Sequence, residues 1–583
     1  MAKLAPSLLA SLSLLVACGG KAEVNLTALD CAEEGVNADP FTVDHALADN
    51  AGDHEELGDY SYDASSATTI TLSGTSATVS GSGAVASGGV VTIEAAGTYV
   101  VSGELSDGQI VVDSDQDGLV QLVLAGASIT HGGDAGIRVV QADRAVLVLA
   151  DGTTNAITDG STYPAGAEQN AAVWSDDDLS IGGGGALTVT ARFEDGIASK
   201  DGLVIGGGTI TVVAPDEGVR GKDYLIVRGG TLDVTADGDG LQSDEDEDPE
   251  RGYVLVEGGV ITVEAGGDAV SAATDALVRG GTLSLRSGGG ARVTASEETS
   301  AKGLKAGVLL VVDDGLIDVD ASDDGLHSDG DIVVNGGAIG IATGDDGVHS
   351  DVMLTINGGE LMVTDSQEGI ETVAGDLVIN GGVIDVTALD DGFNLSGDGD
   401  DAPGVESAGD PYDMVFNGGR VSVTSGSDGI DSNGSIVMTG GCLAIRGPVP
   451  GTHPEQGAID YNGSFEISGG VLVAAGAAGR MAQAPSTSSS QPSVAITFSS
   501  EQEAGTFVAL DDGTHAVAFA PDKVFQSVVI SAPWLAVGEG VSVFEGGELA
   551  DGSATALADG GTLVGTKLKE AVTLSSAVTD VQL

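Results

Sequence analysis

Apolar residues recur along most of the chain with a base period of 22 residues. A pair of glycines marks each repeat, as at Gly207, Gly229 and Gly336, and the intervals are longer where residues are inserted. After each pair, apolar side chains stand two residues apart, as in Ile339 and Ile341. This spacing, with many β-branched residues, predicts short strands that bury one face. A fixed period in this range is typical of a solenoid.

Each repeat has room for about three short strands separated by glycine-rich turns, and it is too small to bury a core by itself. When repeats stack about 4.8 Å apart, their strands form parallel sheets around one aliphatic core. We therefore expect an all-β protein. Its main body, residues 68–480, should be a right-handed parallel β-helix with about 22 residues per coil.

The two ends of the chain differ from the repeats. A short apolar run that ends in LVAC at residues 15–18 predicts a lipoprotein-type signal peptide, with Cys18 as the lipidated residue. An ordinary secretory signal is the alternative. Beyond residue 18 we expect an acidic tether (19–67), the solenoid (68–480), a Pro/Ser linker (481–493) and a small C-terminal β cap (494–583) that covers the open sheet edge.

The composition narrows the choice of partners. The chain has 583 residues with 92 glycines, and 42% of its residues are hydrophobic, which indicates a folded, turn-rich β protein. Acids outnumber bases 89 to 21, giving a net charge of -68. This charge excludes nucleic acid and anionic membrane surfaces as partners and favours cations. We expect an exported monomer of the cell envelope or surface that meets the membrane only through its lipid. The pattern leaves open whether Cys31 and Cys442 pair.

Stacking places equivalent residues of successive repeats side by side. One position before the glycine of the second turn, which is Ala269 in one repeat, nine of ten repeats carry an acid. We call this set the acid row: Asp195, Glu217, Asp239, Asp268, Lys302, Asp324, Asp346, Glu368, Asp391 and Asp428. Asp-Gly suits a tight turn, but turn geometry does not explain why glutamate also occurs or why a second acid often precedes the first.

Carboxylates about 5 Å apart repel by about 1 kcal/mol in water and by more at a lower dielectric. The acid row therefore needs cations, and oxygen ligands select Ca²⁺. An acidic edge without bound ions is the alternative. The predicted calcium ligands, which include an acidic insertion at residues 243–253, are Asp239, Asp244, Asp246, Asp248, Asp268, Asp323, Asp324, Asp345, Asp346, Glu368, Asp390, Asp391 and Asp428.

A second set of polar residues lies two positions after the same glycine. We call it the outward row, since the residues that precede its members, such as Leu326 and Val348, should face inward. Insertions fall on both sides of it, which predicts a groove suited to an extended polymer. The neighbouring His327 and His349 lack a third nitrogen or sulfur ligand and make a weak zinc site. The predicted carbohydrate-binding residues are Arg220, Gln242, Lys305, His327, His349, Glu371, Asn394 and Asp431.

Several motifs resemble a known family. The segments at residues 218–253, 300–307, 323–330 and 366–382 are similar to the bacterial calcium-containing carbohydrate-binding β-helix family. The likeness covers most of residues 68–583, although VLLVVDDGLI after Gly307 departs from the usual glycine-pair turn. The resemblance implies a fold similar to that of pectate lyases, bound calcium, and binding of plant cell-wall polysaccharides such as cellulose or acidic pectin.

Three functional classes remain. A calcium-dependent pectate lyase needs a base to remove the C5 proton, and Lys302, Lys305 or Arg220 would serve. A calcium-stiffened surface scaffold or adhesin would use the acid row without a sugar ligand. The outward row runs along the whole body, whereas the basic residues are isolated. We therefore predict a calcium-binding protein that binds polysaccharide along a polar groove.

Overall fold

The computed structural model describes residues 22–33, 35–294, 300–397, 411–452, 456–479, 482–553 and 556–583. The predicted signal peptide and Cys18 lie outside these residues. Within them the chain is all-β apart from one short helix, Val43–Leu47. No helix in this described part is long and apolar enough to cross a membrane.

The repeats build three series of strands, which we call sheets A, B and C. Sheet A has 16 strands: Ala84–Ser87, Val90–Ile93, Gln109–Asp113, Ile137–Gln141, Ala171–Ser175, Asp195–Ser199, Val219–Gly221, Leu241–Ser243, Val270–Ala272, Leu304–Ala306, Leu326–Ser328, Val348–Ser350, Ile370–Thr372, Phe393–Leu395, Ile430–Ser432 and Ile459–Tyr461. Its first two strands pair antiparallel and the others pair parallel in sequence order.

The strands before each glycine pair form sheet B: Arg144–Leu149, Leu179–Gly183, Gly202–Ile205, Tyr224–Val227, Tyr253–Val256, Asp275–Val278, Leu309–Val312, Asp331–Val334, Leu354–Ile356, Leu377–Ile379, Asp413–Phe416, Ser435–Met438 and Phe465–Ile467. The strands after each pair form sheet C: Thr154–Thr158, Ala186–Thr190, Thr209–Ala214, Thr231–Ala236, Val260–Ala265, Thr282–Ser287, Leu316–Ala321, Ala338–Thr343, Glu360–Asp365, Val383–Ala388, Arg420–Ser425, Cys442–Arg446 and Val471–Gly476. In both sheets each strand pairs parallel with the strand of the next repeat, as Asp331–Val334 does with Leu354–Ile356. The predicted all-β class and parallel pairing are thus confirmed.

One aliphatic core lies between the sheets. Ile210, Val212, Ile339 and Ile341 are at most 2% exposed, as the spacing of two predicted, and they belong to a buried cluster that continues through the repeats. A glycine follows nine of the ten acid-row residues and lies against this core, and Ala269 takes that place after Asp268. A Cβ on Gly325 would lie 2.5 Å from a methyl carbon of Ile341, so a larger residue would push the acidic turn away from the core.

Further strands close the two ends of the body. At the N-terminal end, Thr68–Gly74, Ser76–Ser80, Gly97–Leu105 and Leu119–Thr130 precede the regular repeats. At the other end the last strand of sheet C pairs antiparallel with Phe525–Ser531, so its edge is covered. The remaining strands of this end are Ser493–Gln502, Val578–Gln582, Val508–Asp511, Ala516–Phe519, Gly540–Glu545, Glu548–Leu549 and Gly561–Thr573. The linker predicted at 481–493 is packed where it is described: Tyr461 Oη donates to the carbonyl of Ala484 at 2.8 Å.

The segment predicted as an acidic tether is a strap that runs back along the body. Its first strand, Ala22–Leu26, pairs with Gly561–Thr573, and Cys31 forms a disulfide with Cys442. Further along, Val43 and Ala46 pack on the outer face of sheet B, which the tether prediction overlooked because the segment is acidic overall. Successive contacts reach ever earlier repeats: Asn37 with Asn357, Phe41 with Asn335, Asn50 with Asp275, His54 with Tyr224, and Ser61 with Gln121.

Candidate functional site

Sheet A holds the outward row in register along its outer face. The residues that precede row members, such as Leu326, Val348 and Ile370, are fully buried, whereas most row members are half-buried. Every predicted carbohydrate-binding residue is in this row, which also includes Asp460 at its C-terminal end. The order is Arg220, Gln242, Ser271, Lys305, His327, His349, Glu371, Asn394, Asp431 and Asp460.

Carboxylates of the acid row hold the backbone of the following repeat. Oδ1 of Asp239 accepts a hydrogen bond from the backbone N–H of Asp268 at 2.8 Å, and Oδ1 of Asp268 accepts one from Lys302 at 2.7 Å. The same bond joins Asp324 to Asp346, Asp346 to Glu368, Asp391 to Asp428, and Asp428 to Gly457. One oxygen of each of these aspartates therefore has a structural role, which sequence reasoning missed.

In four of these residues, which include Asp239 and Asp268, the second carboxylate oxygen faces the outward row. Asp324 Oδ2 lies 2.8 Å from His327 Nδ1, and Asp346 Oδ2 lies 2.9 Å from His349 Nδ1. Burial would raise the pKa of Asp324, but His327 and Lys302 hold that pKa at about 2. Burial would lower the pKa of His349, yet its carboxylate partners raise it to about 11. In these repeats Lys302 and His349 therefore offset part of the carboxylate charge.

The two histidine rings are held in place rather than freely solvated. His327 and His349 stack with their centroids 5.0 Å apart and their planes 11° apart. Their Nε2 atoms lie 2.9 Å from Asp329 and 3.1 Å from Asp351. Since carboxylates contact both nitrogens of each ring, the rings form a fixed polar surface.

The basic residues considered for lyase chemistry are all ion-paired. Lys302 Nζ lies 2.6 Å from Asp323 and 3.1 Å from Asp324. Although burial lowers the pKa of Lys302, these carboxylates raise it above the ordinary value overall. Arg220 is paired with Asp195 at 2.8 Å, and Lys305 Nζ lies 3.4 Å from Asp268, another member of the acid row. A base must release its proton near neutral pH, which the raised pKa of Lys302 opposes.

Some of the predicted calcium ligands converge and others do not. Four groups in the described part of the chain bring three ligand atoms within 4.8 Å of one another: Asp346, His349 and Glu371; Asp195, Asp216 and Glu217; Asp323, Asp324 and Asp345; and Asp391, Asp428 and Asp431. None of these groups includes the predicted ligands Asp239, Asp244, Asp246, Asp248, Asp268, Glu368 or Asp390. In the acidic insertion, Asp244 pairs with Arg220 at 3.2 Å and Asp248 with Arg251 at 3.4 Å.

The group of Asp391, Asp428 and Asp431 consists of oxygen ligands alone. Asp428 is 4% exposed, and burial together with the carboxylates of Asp391, Asp431 and Asp460 raises its pKa to about 8. The protein therefore holds several carboxylates close together where ionising all of them is unfavourable. Three carboxylates held close together offer the oxygen ligands that a hard divalent cation prefers.

A second group of this kind lies at the other end of the outward row, and we did not predict it. Asp195 is fully buried; its Oδ2 accepts hydrogen bonds from Arg220 and Asn170, whereas its Oδ1 has no hydrogen-bond partner among the described residues. Burial raises the pKa of Glu217 most, and the nearby Asp195 carboxylate raises it further, to about 8. The acid row contained the signal for this group, although the predicted calcium ligands start only at Asp239.

The insertions border the body on different sides. The insertion at residues 288–294 lies over sheet C, where the backbone N–H of Ala291 donates to Asp320 at 2.8 Å and leaves a cavity of about 510 Å³. A loop at residues 163–170 lies beside the N-terminal part of sheet A and borders a cavity of about 660 Å³. At this end the predicted groove is therefore bordered by the loop at residues 163–170. This loop was not among the insertions that the sequence predicted to border the groove.

The chain is similar to known proteins of one family. A family profile described as carbohydrate-binding domain-containing protein matches residues 87–347 and 345–524. A carbohydrate-binding domain-containing protein of Acetivibrio thermocellus is 41% identical over 128 residues, which are 21% of this chain and 45% of that relative. The solved structure of the polysaccharide lyase-like protein from C. thermocellum, a gadolinium derivative, is 34% identical and covers 37% of this chain and 91% of its own, with a TM-score of 0.36. Since the profile matches more than half of its length, the chain belongs to the family of carbohydrate-binding domain-containing proteins.

Proposed function

We propose that this protein is exported and binds polysaccharide along the outward row of sheet A, with Ca²⁺ bound in groups of the acid row. The observation that carries the proposal is the continuous polar row, in register over ten repeats from Arg220 to Asp460, in a chain of the carbohydrate-binding domain family. An extended polymer has repeating hydroxyl groups, and such a row offers repeating hydrogen-bond partners. Lipid at Cys18 would hold the protein at the cell envelope.

We also propose an arrangement for sheets A, B and C. Sheets A, B and C take their strands from each repeat in turn, and the pairing partner of each strand is one repeat away. Short strands with a shared aliphatic core favour a right-handed parallel β-helix of about 22 residues per coil. A stiff rod of this kind would present the outward row as a straight surface.

The calcium part of the proposal rests on two of the three groups that offer carboxylate oxygens alone. The third, which contains Asp323 and Asp324, is already paired with Lys302. Asp391, Asp428 and Asp431 would hold the ion, and Asp195, Asp216 and Glu217 would hold a second one. Bound Ca²⁺ would supply positive charge that offsets the carboxylates and offers coordination to sugar hydroxyl or carboxylate oxygens. The protein's own residues would bind the sugar beside it, through Asn394, Glu371 and their neighbours in the row. Cell-wall polymers such as pectin or cellulose are the proposed ligands.

Co-sedimentation with insoluble cellulose and with calcium-pectate gel, with and without EGTA, tests the proposal. We expect the protein to sediment with one of these polymers and EGTA to reduce the bound fraction. Asp428→Asn keeps the shape and the acceptor for Gly457 but removes a ligand charge, so it should weaken binding. Glu360→Gln removes a charge from the exposed face of sheet C and serves as the matched control. Equal binding by the two variants would contradict the calcium assignment.

The lyase alternative has a direct test. The ion pair of Lys302 with Asp323 and Asp324 keeps the amine protonated, so we expect no proton abstraction at C5 of a uronate. Polygalacturonate incubated with the protein and Ca²⁺ should gain no ultraviolet absorbance from unsaturated uronide. A signal that Lys302→Ala abolishes would identify the protein as a lyase.

A further inference from the structure

The outward row continues beyond Arg220 toward the N-terminus, where its chemistry changes. Sheet A places Ala198 beside Arg220, Trp174 beside Ala198, and Arg138 beside Trp174. Trp174 is one of only two tryptophans in the chain. It therefore occupies the same position in its repeat as the predicted sugar-binding residues, on the same face of the same sheet.

A cavity of about 660 Å³ opens above this part of the sheet, and we call it the Trp174 pocket. The loop at residues 163–170 forms one side, and Trp174, Phe193, Lys200 and Arg220 line the rest. This volume lies within the usual range for small-molecule sites. Since the pocket lies at one end of the outward row, a polymer bound along the row would lead into it.

Aromatic rings provide the apolar side of the Trp174 pocket. Tyr163 and Phe193 stack with centroids 4.5 Å apart and planes 15° apart. The Tyr163 hydroxyl is fixed by hydrogen bonds of 2.9 Å to Asp159 and to the carbonyl of Ala171. Arg138 and Lys200 each lie 5.6 Å from the centroid of the Trp174 ring. Trp174 itself is 2% exposed, so the partly exposed Tyr163 and Phe193 are the rings that can meet a sugar. Fixed rings suit the C–H faces of a pyranose.

The polar groups of the pocket are arranged around one buried carboxylate. Asp195 is completely buried and accepts hydrogen bonds from Asn170 at 2.9 Å and from the Arg220 guanidinium at 2.8 and 3.0 Å. The Nε2 of Gln169 in the same loop donates to Asp134 at 2.7 Å. These bonds fix the side chains before a ligand arrives, so little conformational entropy is lost on binding.

The formal charges that line the pocket cancel. Three cations, Lys200, Lys222 and Arg220, are matched by three anions, Glu168, Glu194 and Asp244. In a chain with a net charge of -68, such a pocket neither needs a cation nor attracts an anion. Paired acids and bases instead offer both acceptors and donors, which is what sugar hydroxyl groups require.

We infer that the Trp174 pocket binds a neutral pyranose residue, at or near the end of a glycan, without calcium. The inference deepens the proposed carbohydrate binding by naming a sugar class and a second place of contact, and it rests on that function. It shares Asp195 with the second proposed calcium group, but there Asp195 is ion-paired with Arg220, and aromatic rings and ion pairs line the pocket. The protein would thus hold a polymer along the outward row and recognise a neutral sugar at one end.

Tryptophan fluorescence isolates this pocket, because Trp534→Phe leaves Trp174 as the single tryptophan. The full-length Trp534→Phe protein is titrated in EGTA with cellohexaose, mannohexaose and xylohexaose, and with hexagalacturonate as the charged probe. Heat of binding is recorded in parallel by calorimetry. We expect saturable fluorescence change and heat with at least one neutral hexasaccharide and neither with hexagalacturonate.

Variants link the signal to the pocket. Lys200→Met removes an ammonium at the mouth whose partners Glu168 and Asp176 are exposed, so folding should be little affected while affinity falls about tenfold. Tyr163→Ala should abolish the signal, and Tyr62→Ala on the strap is the matched control. An unchanged affinity in Lys200→Met would overturn the assignment to this pocket.

The outcomes separate this inference from the proposed calcium-dependent binding. Asp428→Asn should lose polymer binding in calcium but keep the Trp174 response in EGTA. Absence of both heat and fluorescence change with every neutral hexasaccharide would overturn the pocket assignment, even if polymer sedimentation succeeds. Binding of hexagalacturonate in place of the neutral sugars would overturn the neutral-sugar assignment.

Discussion

At the scale of single residues, four aspartates of the acid row have two functions: Asp239, Asp268, Asp324 and Asp346. One oxygen accepts the backbone N–H of the next repeat, as Asp239 does from Asp268, and the other faces the outward row. Turn propensity alone would allow asparagine or serine at these positions. A carboxylate is the better acceptor for the backbone bond, but it brings charge that neighbouring side chains or cations must offset.

Glu217 makes the electrostatic consequence testable. Burial and the nearby Asp195 raise its pKa to about 8, above the ordinary value of an unfolded glutamate. Because the folded pKa is raised, this group costs nothing below pH 4, and its cost grows as pH rises from about 4 to about 8. Glu217→Gln should therefore stabilise the calcium-free protein by about 1 kcal/mol at pH 8, after discounting for solvent screening, and by little at pH 4.

Thermal melts in EGTA at pH 4, 6 and 8 check this expectation. Glu264→Gln, an exposed carboxylate on sheet C, is the matched control and should behave like wild type at each pH. A stabilisation of Glu217→Gln that is equal at pH 4 and pH 8 would show that charge is not the cause.

At the scale of elements, the sequence predicted the features that recur in every repeat and missed the strap, which occurs once. Period, strand spacing and the two rows follow from stacking, and the structure pairs His327 with His349 and Glu371 with Asn394 in the expected register. The strap has no repeat, and its acidic composition hid the few apolar residues, such as Val43, that pack on sheet B. Sequence could not reveal which carboxylates converge, because that depends on rotamers and on neighbours such as Arg220.

An asparagine ladder stabilises the turns after sheet B. Asn380 donates to Asn357 Oδ1 at 2.9 Å and accepts from Asn417 at 3.0 Å, and it is 8% exposed. Asn380→Ala would leave buried partners without hydrogen bonds, which costs about 1–3 kcal/mol. We expect a lower midpoint in urea with an unchanged slope. Thr235→Ala on the exposed face of sheet C should leave the midpoint unchanged, and equal midpoints for the two variants would argue against the ladder.

The strap depends on one covalent bond. The disulfide between Cys31 and Cys442 has a sequence separation of 411 residues. Closing so large a loop restricts the unfolded chain, and native disulfides of this kind contribute about 2–5 kcal/mol. Cys31→Ser should therefore lower the melting temperature, and added reductant should lower the wild type to the same value. If the reduced and oxidised wild type melt together, the disulfide does not hold the strap.

At the scale of the whole molecule, the long body and the large negative charge oppose each other. The shared core and the strap hold the repeats together, whereas a net charge of -68 favours expansion. Arginines at the strap reduce this repulsion locally, as Arg228 does with Asp53 and Glu257. Burial and neighbouring carboxylates raise the pKa of both Asp391 and Asp428, so ions would act most strongly at groups of this kind.

Calcium should therefore raise the stability of the whole body. A ligand that binds only the folded state stabilises it by about 2.7 kcal/mol per site at a hundredfold excess over Kd. We expect the melting temperature to fall in EGTA and to recover with Ca²⁺, and Mg²⁺ at the same concentration to restore less because it demands stricter geometry. Asp428→Asn should show a smaller calcium response than wild type, whereas Glu360→Gln should show the full one. Coincident melts of the wild type with EGTA and with Ca²⁺ would mean that the acid row acts through its backbone hydrogen bonds alone.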